Sequence, residues 1–200
     1  YYDKKGVPLR AKLIANYSKQ MKLVSVMPWA FNWFYGVPFL RRMARRLGGL
    51  HPDRTMPELA GVTLRKWHGQ SKKLKVKSKN GKTPIVEGSF HQGKRVYLFC
   101  DEFTNYNDAG VGKKAVLLLE KLGYEVVIPA HGDSGRTYLS KGLVKEAKKI
   151  VNKNIVRLSG LISAETPLIG IEPSAILSFR DEYIDLADPE NKEAAKTLST

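Results

Sequence analysis

The chain is 200 residues long, 42% hydrophobic and 10% aromatic, with one cysteine. That is enough apolar material for one ordinary domain with its own core, which excludes wholesale disorder. A single cysteine excludes an internal disulfide framework and points to a cytoplasmic setting.

The net charge of +15 is unevenly placed: residues 1–90 hold 19 basic and 4 acidic side chains, and residues 91–200 hold 15 of each. Two regions of different character therefore meet near His91. The sequence opens on Tyr1 with no basic–apolar leader pattern, an opening expected of a piece of a longer polypeptide.

In the first region, residues 7–16 read as a short helix after Pro8. Residues 21–40 are crowded with aromatics (Trp29, Phe31, Trp33, Phe34, Tyr35, Phe39), but Lys22, Asn32, Pro28 and Pro38 argue against a transmembrane span. Arg41, Arg42, Arg45 and Arg46 follow at once. The favoured expectation is an arm that packs on a neighbouring domain; the second is peripheral contact with a membrane surface, such as the inner membrane. The basic stretch 66–82 alternates Lys73, Lys75, Lys77 and Lys79 with Leu74 and Val76, a pattern that suggests an edge strand or linker protected by lysines. With Trp67 as the only aromatic nearby, it does not read as a nucleic-acid groove.

The second region is more regular. Residues 95–100, 124–129 and 167–171 read as strands, and apolar spacing predicts helices over 111–122, 143–158 and 174–180. Asp108 is expected to cap the first of these, and Gly123 to close it. Strands alternating with helices imply an α/β fold, a Rossmann-like βαβαβ parallel sheet preceded by a mostly helical, basic arm. Ligand sites in such sheets gather beyond the carboxyl ends of the strands. The candidate site is accordingly Glu102, Thr104, Asn105, Asp133, Ser134, Arg136, Glu172, Ser174 and Arg180, with no catalytic or metal-ligating residue assigned.

Two motifs mislead. Gly132-Asp133-Ser134-Gly135 has the look of a serine nucleophile loop, but Arg136 stands where an α/β-hydrolase elbow needs glycine and no partner base is evident, so a plain strand-to-helix turn is expected. Gly110-Val111-Gly112-Lys113-Lys114 lacks the spacing of a phosphate loop or dinucleotide fingerprint. His51, His68, His91 and His131 show no metal spacing.

Phe99 to Asn107, Gly123-Tyr124-Glu125-Val126, Asp133 to Arg136, Ser140-Lys141-Gly142 and Gly170 to Ser174 together resemble the cysteine-rich "CCG" domain of heterodisulfide reductases and glycolate oxidase iron–sulfur subunits. The resemblance is nearest to the C-terminal part of FAD-linked oxidases that join flavin, ferredoxin-like and cysteine-rich domains. It covers most of residues 95–183, and Gly49 to Arg54 resembles their inter-domain linker. It implies a basic, partly helical arm over 1–90 following a ferredoxin-like domain, an α/β half-module over 91–183, and a linker over 184–200 leading to a second repeat.

The family's cysteine positions hold Glu102, Asp133-Ser134-Gly135 and Glu172-Pro173-Ser174-Ala175 here, and Cys100 falls two places off. The resemblance thus implies FAD and 4Fe–4S clusters elsewhere in a parent 2-hydroxy-acid oxidoreductase. This chain would hold none of its own and would serve as a structural or electron-transfer interface, with the parent's flavin, ferredoxin-like and second cysteine-rich domains as partners, or a homodimer when isolated. The second reading is a non-enzymatic module whose strand-end loops recognise a small anion or a protein partner, with Arg136 and Arg180 as carboxylate clamps.

Overall fold

Val96, Leu98 and Cys100 on one side of a strand, and Phe99 on the other, are all buried. A strand apolar on both faces belongs in the middle of a sheet covered on both sides. The computed structural model, which describes residues 2–51, 53–77 and 93–199, places this strand, β1 (Arg95–Phe99), between β2 (Glu125–Val127) and β3 (Leu168–Gly170). Both pairings are parallel, with Val96 beside Val126 and Leu98 beside Ile169. The α/β parallel-sheet fold read from the sequence is the fold observed.

Among the described residues, six helices precede the sheet: α1 (Tyr2–Lys5), α2 (Leu9–Ala15), α3 (Tyr17–Val24), α4 (Pro28–Gly36), α5 (Pro38–Leu47) and α6 (Leu64–Lys77). Pro28 and Pro38 each open a helix, where a missing N–H costs nothing. The stretch expected as a lysine-protected strand or linker is instead the helix α6, as far as residue 77; Lys79 and Lys82 lie outside the described residues. The spacing of Leu64, Trp67 and His68 explains the difference. All three face inward, with Leu64 fully buried and packed with Val96, Leu98 and Val116, so tertiary burial overrides the polar alternation downstream.

After β1 come α7 (Glu102–Tyr106) and α8 (Ala109–Lys121). Asp108 does not cap α8 with its carboxylate as expected; its backbone carbonyl accepts from Val111 and Gly112 instead. Gly123 ends the helix at φ 95°, and Tyr124 N–H returns to the Leu119 carbonyl. After β2 come α9 (Arg136–Leu139) and α10 (Val144–Leu158), and after β3 come α11 (Pro173–Leu177), α12 (Glu182–Leu186) and α13 (Lys192–Ser199). Helices α6 and α8 cover one face of the sheet; α10 to α13 cover the other around Phe99, Val151, Ile155, Phe179 and Tyr183.

Residues 184–199, within the segment read as a linker, form part of this second layer. Ala195 and Leu198 of α13 are buried, and Asn152 on α10 bonds to the Leu186 carbonyl, the Asp188 N–H and the Asn191 amide. Small apolar residues among many charges hid that packing face. Among the described residues, no helix is long and apolar enough to cross a membrane.

Candidate functional site at the strand ends

Each strand runs into a turn and then a helix, so the side chains that follow the strands decide what this edge of the sheet presents. After β1, buried Asp101 caps α7, its Oδ1 accepting from the N–H groups of Phe103 and Thr104, both at 2.9 Å. Its other oxygen has no partner among the described residues. Burial raises its pKa, with the nearby Glu172 carboxylate acting in the same direction.

Glu102 is also buried and accepts two hydrogen bonds from Ser134, one from the backbone N–H at 3.0 Å and one from the hydroxyl at 2.7 Å. Burial again pushes its pKa up, and the two bonds from Ser134 partly offset this. Ser134 Oγ in turn accepts from Arg136 N–H. Gly132 to Gly135 is therefore the plain turn anticipated, with Gly135 in the left-handed region at φ 86°. The serine hydroxyl donates to the Glu102 carboxylate.

His131, read as a lone packing histidine, stacks on Phe99 with ring centroids 4.1 Å apart. Its Nδ1 lies 2.6 Å from the Gly132 carbonyl, which can only accept, so that nitrogen carries the proton. Nε2 is then free to accept from Cys100 N–H at 3.1 Å and from the Arg65 guanidinium. Loss of water and the nearby Arg65 and Arg157 charges hold the pKa at about 3, so the ring is neutral and fully engaged. Beside it, burial pushes the Cys100 thiol up to about 12.

A second layer of bonds joins the arm to this edge. Ser18 donates to Asp133 at 2.7 Å, Tyr17 donates to Asn107 at 2.6 Å, and Tyr138 donates to Asn16 at 2.9 Å. Tyr17 also stacks on Phe103, centroids 5.2 Å apart. From the other side, Asn154 donates to the Asp133 carbonyl, and Tyr183 donates to the Ser134 carbonyl.

The expected site residues thus divide into layers. Glu102, Thr104, Asn105 and Ser134 form a buried floor, where Asn105 Oδ1 accepts from Arg65 N–H at 3.1 Å. Asp133 is covered by Ser18. Arg136, Glu172 and Ser174 line a groove of about 500 Å³ above the floor, together with Phe103 and Thr137. Arg10, Ile14 and Tyr17 of the arm, with Leu50, Arg54, Thr55, Met56 and Pro57, complete its walls. Arg180 is exposed and does not line it. Arg136 forms an ion pair with Glu182, and Glu172 Oε2 caps α11 by accepting from Ala175 N–H at 2.6 Å. Of the two arginines read as carboxylate clamps, Arg136 lines the groove with its guanidinium paired to Glu182, and Arg180 lies outside it. Sequence reasoning missed the arm's share of the groove, Arg10 and Leu50, Arg54, Thr55, Met56 and Pro57, and the Asp101 cap. The Asp-x-x-Thr spacing of a helix start at Asp101 was the available signal for the cap.

The donors at this edge do not fit a thiolate-held cluster. Carboxylates and a serine occupy the three loop positions and are bonded to one another or to backbone, and the only thiol is protonated and buried. Among the described residues, no group of three or more His, Cys, Asp or Glu side chains could hold a metal ion.

The fold and this groove-bearing edge define a Rossmann-like α/β module. The chain is similar to D-2-hydroxyglutarate dehydrogenase of Escherichia coli K12, 27% identical over 185 residues, which is 92% of this chain and 17% of that protein. It is similar to the enzyme of the same name from Pantoea ananatis, 23% identical over 183 residues, and to that from Haemophilus influenzae, 31% identical over 88 residues. The chain spans 17% of the length of the first two relatives. No family model and no solved structure matches it.

Proposed function

We propose that the chain is one segment of a larger FAD- and iron–sulfur-dependent 2-hydroxy-acid dehydrogenase, and that it serves there as a scaffold and electron-transfer interface without a cluster of its own. The observation that carries this reading is similarity along 92% of the chain to D-2-hydroxyglutarate dehydrogenases of which it spans 17%. A segment of that proportion would rely on the remaining polypeptide for redox chemistry. The strand-end residues support the division of labour: where the resembling family has cysteines, Glu102, Ser134 and Glu172 bond to protein groups and stabilise the turns themselves. Flavin and clusters would then sit in other domains.

The test is the longer polypeptide that contains this sequence, purified without oxygen. It is expected to show flavin and iron–sulfur absorption and to reduce a dye acceptor with D-2-hydroxyglutarate. A longer polypeptide with neither chromophore nor hydroxy-acid oxidation overturns the reading.

A further inference from the structure

Helices α4 and α5 turn their inner faces to one segment of the chain. Asn32 on α4 donates to the Leu59 carbonyl and accepts from the Leu59 N–H, each at 2.9 Å. Arg45 on α5 is buried, and with Phe31, Tyr35 and Arg41 it lines a small cavity against Met56 and Glu58. The outer faces follow from the helical period. Trp29 and Trp33 stand one turn apart on α4, and Phe39, Met43 and Leu47 recur at every fourth residue of α5. All five are exposed, Trp29 at 71% and Leu47 at 76%.

The charge beside this surface is of one sign. Arg42 and Arg46 are exposed, and each precedes a residue of the apolar stripe. From Lys4 to Pro52 the sequence holds no Asp or Glu. An apolar, aromatic stripe with arginines alongside is the pattern of a helix that lies in a bilayer interface. There the stripe sinks about 5–10 Å to the boundary of headgroups and acyl chains, while guanidinium groups on long stems reach lipid phosphates. Tryptophan suits that depth, because its ring is apolar and its N–H keeps a hydrogen-bond partner. Pro28 and Pro38 divide the segment into helices of 9 and 10 residues, which fit such a surface and are too short to cross it.

We propose that the outer face of α4 and α5 is a docking surface for a bilayer carrying anionic lipid. Charge selects the occupant. A second copy would bring another set of arginines into the contact, whereas anionic headgroups neutralise the ones already there. An acidic protein surface would also meet the charge, but it must offer a fitted pocket to each anchor; a fluid bilayer takes Trp29, Trp33 and Phe39 wherever they project. With no bilayer present the face is left to a second copy, and salt separates the two: it screens repulsion between copies and weakens attraction to lipid. The proposal goes beyond the dehydrogenase reading and rests on residues of the arm alone.

Co-sedimentation with vesicles tests it, using this chain and the longer polypeptide that contains it. The vesicles are phosphatidylcholine alone, or phosphatidylcholine and phosphatidylglycerol in equal parts. Both proteins are expected to bind the anionic vesicles about tenfold or more tightly than the neutral ones, and less tightly as salt rises. Brominated acyl chains are expected to quench tryptophan fluorescence, and a Trp29→Phe, Trp33→Phe variant to lose most of that quenching. Arg42→Gln with Arg46→Gln should weaken binding about tenfold, and Phe39→Ser with Leu47→Ser similarly. All four of these side chains are exposed, so melting temperatures should hold. No binding to anionic vesicles, equal binding to neutral ones, or full affinity in the folded variants would overturn the proposal. Binding by this chain but not by the longer polypeptide would also overturn it, showing that another part of the protein covers this face. None of these results touches the hydroxy-acid assay of the longer polypeptide, so the two readings fail separately.

Discussion

Glu102 and Ser134 close a two-point contact across the strand ends, one carboxylate oxygen taking the serine N–H at 3.0 Å and the other its hydroxyl at 2.7 Å. Because both residues are buried, the contact fixes the β2–α9 turn relative to α7. Ser134→Ala leaves one carboxylate oxygen short of a donor and removes the acceptor of Arg136 N–H. A loss of about 1–3 kcal/mol is expected in urea unfolding. A loss within error of zero would mean that water replaces the hydroxyl and that the turn does not depend on it.

His131 makes stability depend on pH. Its folded pKa, about 3, lies below the ordinary histidine value of 6.5, so the unfolded chain binds the extra proton between those limits. The contribution is fully present above pH 6.5 and falls as pH drops, by about 1.4 kcal/mol per unit. Asp101 and Glu102 act in the opposite sense, since burial raises both: their contribution is present below the unfolded values and lost as pH rises through the folded ones. The comparison with His131→Gln isolates the histidine. That variant is expected to be less stable at pH 7 but flatter between pH 6.5 and 5. Parallel slopes in the two proteins would contradict the buried, neutral ring.

Gly170 ends β3 against α11, and a Cβ there would lie 2.6 Å from Ile176 Cβ. Because the crowding atom is close to the helix backbone rather than at a flexible tip, Gly170→Ala should force α11 outward. The expected cost is about 1–3 kcal/mol, read from the shift in urea midpoint. An unchanged midpoint would mean that α11 is loosely held.

Trp29, Trp33, Phe39 and Leu47 are between 66% and 76% exposed, and Phe39, Met43 and Leu47 recur every fourth residue along α5. Burying one such side chain contributes roughly 1.5–3 kcal/mol, so the isolated chain is expected to self-associate through this face as a symmetric dimer. Arg41, Arg42 and Arg46 oppose association by repulsion, which salt screens. Sedimentation at low and high salt should therefore show a larger species at high salt. A monomer at both would show that this face has no affinity for a second copy.

The sheet was legible because β1 carries apolar residues on both faces and the crossover helices α8 and α10 keep a regular apolar spacing. Gly123 was legible because a helix stop demands a left-handed residue. The candidate site was legible only as far as topology reaches: parallel connectivity brings residues 102, 134, 136 and 172 to one edge, but not which are buried and which face solvent. Ser18, Tyr17 and Arg10 come from more than 80 residues upstream, and no local pattern ties them to Asp133, Asn107 or the groove. For α6 and α13, polar residues outnumber the few that pack, so composition masked helices whose inward faces rest on Leu64, or on Ala195 and Leu198.

The central claim is that this chain serves a larger redox protein as scaffold rather than as redox centre. The most direct measurement is iron and acid-labile sulfide content of the purified chain after anaerobic reconstitution and desalting. The account predicts a colourless protein with no bound iron, because Glu102, Ser134 and Glu172 are committed to protein partners and Cys100 is a buried, protonated thiol. A brown protein with stoichiometric iron and sulfide would contradict it.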